Sequence, residues 1–113
     1  SAERKTFISE LIGKHSEKRL LTEKSTPLEL ILLMEADLLD ETGALSIVWD
    51  CMMEGSKEEQ SFLNTYRHIQ NYSGQILASN NMVTEWAKEI WKSKQALVNG
   101  FIDQLAYDLC DSE

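Results

Sequence analysis

Apolar residues in this chain recur every three to four positions over long stretches, which is the period of an α-helix and not of a strand. Phe7, Ile8, Leu11 and Ile12 mark the apolar face of a first helix, from about Glu3 to Lys14. Gly13 and a run rich in Lys, Glu, Ser and Thr to Ser25, interrupted by Leu20 and Leu21, read as a connection. A second helix has a clear start: Thr26 as cap, Pro27 at the first helical position and Glu29 closing a capping box. It is expected to run to about Met53. From Leu28 to Leu39 its apolar positions go round the whole circumference, the pattern of a central helix enclosed by others. Glu54-Gly55-Ser56-Lys57 reads as a turn, and Ser56 with Glu59 as a second capping box. The third helix then runs to about Ala78, with Phe62, Tyr66, Ile69, Ser73 and Ile76 on one face. Asn80 or Asn81 is suited to cap a fourth helix from about Met82 to Leu109, the longest of the set. Its core stripe is Val83, Trp86, Ile90, Leu97, Phe101, Leu105 and Leu109. The pattern predicts an all-α fold of about four helices, forming one helical unit over residues 1–113.

Composition narrows this picture. Five glycines and one proline in 113 residues leave few turns, which favours long helices. A net charge of −8 disfavours nucleic acid and an anionic membrane surface as partners, because both recruit Lys- and Arg-rich faces. There is no secretory signal and no apolar run of membrane-spanning length, so a cytoplasmic location is expected. Cys51 and Cys110 lie in no metal-binding or redox spacing and read as small core residues rather than a disulfide.

The informative stretch is Glu35-Ala36-Asp37-Leu38-Leu39-Asp40-Glu41-Thr42-Gly43-Ala44, which sets acids in an otherwise apolar segment. An ionised carboxylate that loses water needs a cation or donors in return. Asp37, Asp40 and Glu41 share one side of the second helix, because residues three and four apart are neighbours. Glu35 lies one step away and reads as solvated or interhelical.

The segment from Ala36 to Ala44 resembles the closing motif of the HD-domain metal-dependent phosphohydrolases, with Leu38 where that family often has Arg. The pattern from Ala87-Lys88-Glu89-Ile90 to Phe101-Ile102-Asp103-Gln104-Leu105 is similar to the family's long closing helix. Together the likeness covers roughly residues 8 to 109. It lacks the longer Arg- and Gly-containing loop that many relatives carry after the Asp helix. The resemblance implies that Asp37 is the last of four metal ligands. The others would be a His and an adjacent His-Asp pair earlier in the chain. Here the only histidines, His15 and His68, are followed by Ser16 and Ile69, so no His-Asp pair exists in the sequence. The likeness is therefore to the C-terminal half of an HD domain. It implies a divalent metal (Mn, Mg, Co, Ni, Fe or Zn) in the intact protein. Such an ion lowers the pKa of a bound water and polarises a phosphoryl oxygen. The implied substrate is a phosphorylated small molecule or nucleotide.

Several residues carry two readings. Asp37 is a metal ligand or a carboxylate paired with a base. Asp40 and Glu41 support the ligands or steer substrate, or else form a polar rim. His15, beside Lys14, Lys18 and Arg19, is a phosphate contact or a surface His favoured at a helix C-terminus. His68 reads as surface, with no carboxylate four residues away. Trp49, Trp86 and Trp91 read as core, and the four methionines as gap-fillers. Two functions follow: the C-terminal portion of an HD-type phosphohydrolase, inactive without its missing ligands, or a non-catalytic helical interaction module derived from one. Either predicts a partner, the missing N-terminal half or a second copy.

Overall fold

The computed structural model describes residues 1–14, Leu21 and 25–111, and it is all-α, with no strand among them. The helices are α1 (Ala2–Lys14), α2 (Leu28–Glu41), α3 (Ala44–Gly55), α4 (Phe62–Ile69), α5 (Gln75–Ser79) and α6 (Glu85–Asp111). A π-helical segment, Gln70–Gly74, joins α4 to α5. The longest helix is α6, with 27 residues. One apolar cluster holds the elements together: Leu30, Met34 and Leu38 of α2, Ile47 of α3, Ile69, Leu77, and Ala87, Trp91 and Val98 of α6.

The expected second helix is two helices. Gly43 adopts φ 93° and ψ −147°, a conformation open essentially to glycine alone, and the chain turns there. The joint is fixed from outside. Lys94 Nζ donates to Thr42 O at 2.7 Å, placing a cation at the C-terminus of α2, and the hydroxyl of buried Thr42 donates to Leu38 O at 2.7 Å. A side chain at Gly43 would meet that same Lys94, whose Nζ lies 3.0 Å from the Cβ position.

Capping also differs from expectation. The N-cap of α2 is Pro27, one residue after Thr26, with no side-chain cap bond. Ser56 closes α3 instead of opening a helix: its N–H donates to the last carbonyls of α3 and its Oγ to Met53 O at 2.7 Å. The true N-cap is Ser61, whose Oγ accepts from Asn64 N at 3.0 Å, so α4 begins at Phe62. The last helix begins at Glu85, after Thr84, rather than after Asn80 or Asn81.

The expected core faces are rotated. Of the expected stripe, Val83, which precedes α6, and Trp86, Ile90, Leu97 and Phe101 are exposed and Leu105 and Leu109 half-buried, whereas the buried positions of α6 are Ala87, Trp91 and Val98. Trp49 and Trp86 are exposed, so Trp91 is the one core tryptophan, its Nε1 donating to Asn80 O at 3.2 Å. Met34 and Met82 fill the core, but Met52 and Met53 face solvent. Both cysteines are free and exposed, not core residues. Leu28, Leu32 and Leu33 are exposed, so α2 is open on one side rather than enclosed. The result is a slab of 62 × 31 × 18 Å. Its radius of gyration is 17.4 Å, where a compact domain of this length has about 13 Å.

Candidate functional site

Helix α3 is built inside out. Ile47, Asp50 and Glu54, at i, i+3 and i+7, form its buried face. Leu45, Val48, Trp49, Met52 and Met53, at i, i+3, i+4, i+7 and i+8, form its solvent face. A helix of a soluble domain normally shows the reverse arrangement. Leu45 is 75% and Trp49 62% exposed.

The two buried acids of α3 are held by a network from the facing α4 and π segment. His68 lies between them, with Nδ1 2.9 Å from Glu54 Oε1 and Nε2 3.2 Å from Asp50 Oδ1. Only the imidazolium form has an N–H for each carboxylate. The hydroxyl of Ser73 donates to Asp50 Oδ2, and since that uses its only proton, Ser46 Oγ donates to Ser73 Oγ at 2.6 Å. Lys57 Nζ reaches Glu54 Oε1 at 2.9 Å. The Tyr72 ring stacks on His68 with centroids 4.4 Å apart. The π segment makes this possible. Its wider turn brings both Tyr72 and Ser73 to the α3 side, and Gly74, which ends it, sits where a Cβ would come within 2.9 Å of Ile102 Cδ1 of α6. Ser73 bonds to Asp50 and not to His68, so the cluster holds no nucleophile–base pair of the Ser-His type.

Glu54 titrates below the ordinary carboxylate range. The hydrogen bond from Lys57 is the largest cause, then burial in the opposite sense, then the charges of Lys57 and His68. A lowered pKa stabilises the fold above the ordinary value of 4.5, and that contribution is lost as pH falls below it, through the folded value. Thermal melts from pH 7 down to pH 3 are expected to show flat stability to about pH 5 and a decline below it. Glu54→Gln should lower stability at pH 7 and flatten the acid decline; parallel curves for the two proteins would contradict this account.

Above the network lies an open groove of about 670 Å³ between α3 and the π segment. Its walls are mostly the apolar side chains of α3 with Tyr72 and Ile76, and Asp40 and Glu41 border it. Asp40 and Glu41 are thus exposed groups at the rim of an apolar groove. Asp37 is half-buried and makes an interaction of its own within the chain. His15 and Lys18 lie outside the described residues. Among the described residues, no three His, Cys, Asp or Glu side chains are grouped to hold a metal ion.

The fully buried acid of α2 is Glu35, and its partner is a helix terminus. Its carboxylate accepts from Val83 N at 2.6 Å, Thr84 N at 3.0 Å and Thr84 Oγ1 at 2.6 Å, satisfying donors at the start of α6. Of the two roles the sequence left open for Glu35, solvated or interhelical, the structure shows the interhelical one. Sequence reasoning missed His68, whose acids lie 14 and 18 positions away on another helix. Spacing within α3 held no signal of it, because acids opposite an apolar stripe are the ordinary pattern of a helix whose acids face water.

In comparisons with known proteins, no family model, no curated protein and no solved structure matches the chain. The likeness to HD domains therefore rests on the Ala36–Ala44 segment and the pattern of the closing helix. Among the described residues no helix is long and apolar enough to cross a membrane.

Proposed function

We propose that this chain is the C-terminal portion of an HD-type metal-dependent phosphohydrolase acting on a phosphate ester or nucleotide, and that a second body completes it. The observation that carries the proposal is the inside-out α3, which follows the Asp37 segment directly. A helix with its apolar stripe in solvent is what remains when the layer covering it is supplied from elsewhere. The open side of α2 at Leu32 and Leu33 and the exposed Trp86–Phe101 stripe of α6 fit the same reading. Covering a few hundred Å² of such surface is worth several kcal/mol at about 25 cal/mol per Å².

The described residues do not by themselves fit a catalytic metal. Asp37 would be one ligand, and a body against the open side of α2, where exposed Leu33 stands one turn before Asp37, would bring the histidine and His-Asp ligands. The test starts from the native polypeptide, identified by intact mass and N-terminal sequencing. Residues 1–113 alone are expected to release no phosphate from nucleoside monophosphates with Mn²⁺, Mg²⁺, Co²⁺ or Ni²⁺. The native polypeptide, or the chain with the covering body, should release it, and Asp37→Ala should abolish release. Metal-dependent turnover by residues 1–113 alone, or none by the completed protein, would overturn the proposal.

A non-catalytic interaction module is the second reading. The closed network around His68 favours it, since its groups bond to one another and present no reactive pair to the groove.

A further inference from the structure

We propose that the solvent face of α3 is a pairing surface for a second copy of this chain, the two α3 helices crossing antiparallel about a two-fold axis at Trp49. The inference rests on the reading that exposed apolar faces of this chain are covered, and assigns the α3 face to a second copy; a second copy carries no His-Asp pair, so the ligand-bearing body would take the open side of α2 instead. A closed two-fold contact must be self-complementary: residue i meets residue j and residue j meets residue i. About Trp49, α3 meets that requirement. Leu45 and Met53 stand four residues to either side, one turn before and one turn after. Both lie on the exposed stripe, so each leucine meets the other copy's Met53 while the two Trp49 side chains meet at the axis.

The surface has the extent a stable pair needs. The five stripe residues with exposed Tyr72 offer several hundred Å², of the order of the ~800 Å² per partner in standard interfaces. The groove beside α3 leaves room around the paired tryptophans for side chains to adjust: it is open, about 670 Å³, and apolar-walled. Trp and Met are the residue types enriched where interfaces are driven by burial, and methionine adapts its shape to what enters. Each copy carries a charge of −8, so salt that screens the mutual repulsion should strengthen the pair. A basic helical peptide docked against the acidic rim would be weakened by salt instead.

Sedimentation equilibrium at roughly 100 µM and below is the test. The wild-type chain is expected to be dimeric, more so at higher salt. Trp49→Glu should be monomeric with unchanged helical circular dichroism, because the residue is exposed in the single copy. Leu45→Lys alone and Met53→Glu alone should each weaken pairing tenfold or more. An equimolar mixture of those two variants should recover most of it, since antiparallel pairing sets the new lysine against the new glutamate and leaves the other Leu45–Met53 contact intact. A wild-type monomer throughout, a dimer indifferent to Trp49→Glu, pairing weakened by salt, or no recovery on mixing would each overturn the proposal. None of these results bears on whether the completed protein releases phosphate, so this inference and the phosphohydrolase reading fail separately.

Discussion

Glu35→Ala is expected to be among the most damaging single substitutions in this chain, costing roughly 3 kcal/mol or more. The residue is fully buried and its carboxylate accepts three hydrogen bonds, two from backbone N–H groups and one from the Thr84 hydroxyl. Alanine removes the acceptor and leaves those donors with little water to replace it. It also removes negative charge from the positive end of the 27-residue α6. Glu35→Gln should recover only part of the loss, because the carboxamide has one oxygen where the carboxylate has two. Urea denaturation measures the cost. Hydrogen exchange at Val83 and Thr84 locates it, since these amides should lose protection before the rest of α6. Wild-type stability in the alanine variant would show that the cap is not energetically coupled to the fold.

His68→Ala is expected to lower the melting temperature by roughly 10 °C at pH 7, since removing one member of a hydrogen-bonded group leaves its buried partners short of a donor. Asp50 would keep Ser73 as a donor and Glu54 would keep Lys57, but the two acids would lose the ring that bridges them. His68→Gln should lose less, because its amide can still donate to one of the two carboxylates. An equal deficit in the two variants would assign the loss to the missing stack on Tyr72 and not to the bridge.

These two sites show what could be read in the chain and what could not. The all-α class, the extent of α1 and the dominance of the last helix follow from local periodicity, and local periodicity was enough. Faces were harder. In α6, apolar residues stand at 86, 90, 97 and 101 and again at 87, 91, 98 and 102, one position on. Only packing against the surrounding elements, α4 and the π segment foremost, decides that the second set turns inward. The break at Gly43 had a local signal, but a glycine inside a helical pattern costs only ~1 kcal/mol and does not compel a turn. The turn is held by Lys94, 51 residues downstream. Ser56 and Ser61 are both plausible caps, and the box signature pointed to the first. For the candidate site, the acidic segment of α2 was visible, and Asp40 and Glu41 do border the groove. The pairing of His68 with Asp50 and Glu54 crosses from one helix to another, so no spacing rule within a helix could find it. The exposure of the α3 stripe was equally hidden, because a run such as Leu45 to Met53 has the same pattern whichever side faces water.

The thinness of the slab has a consequence for scattering. At 18 Å the short dimension is that of two helical layers, barely more than half the next one. One further layer, adding ~10 Å, would bring it close to the 31 Å intermediate axis. A second body laid across the 18 Å dimension would fill in the molecule instead of lengthening it. In small-angle X-ray scattering, forward intensity should rise in step with the added mass while the radius of gyration grows by only a few ångströms. Attachment end to end would stretch the 62 Å axis and reveal itself at once in the longest interatomic distance.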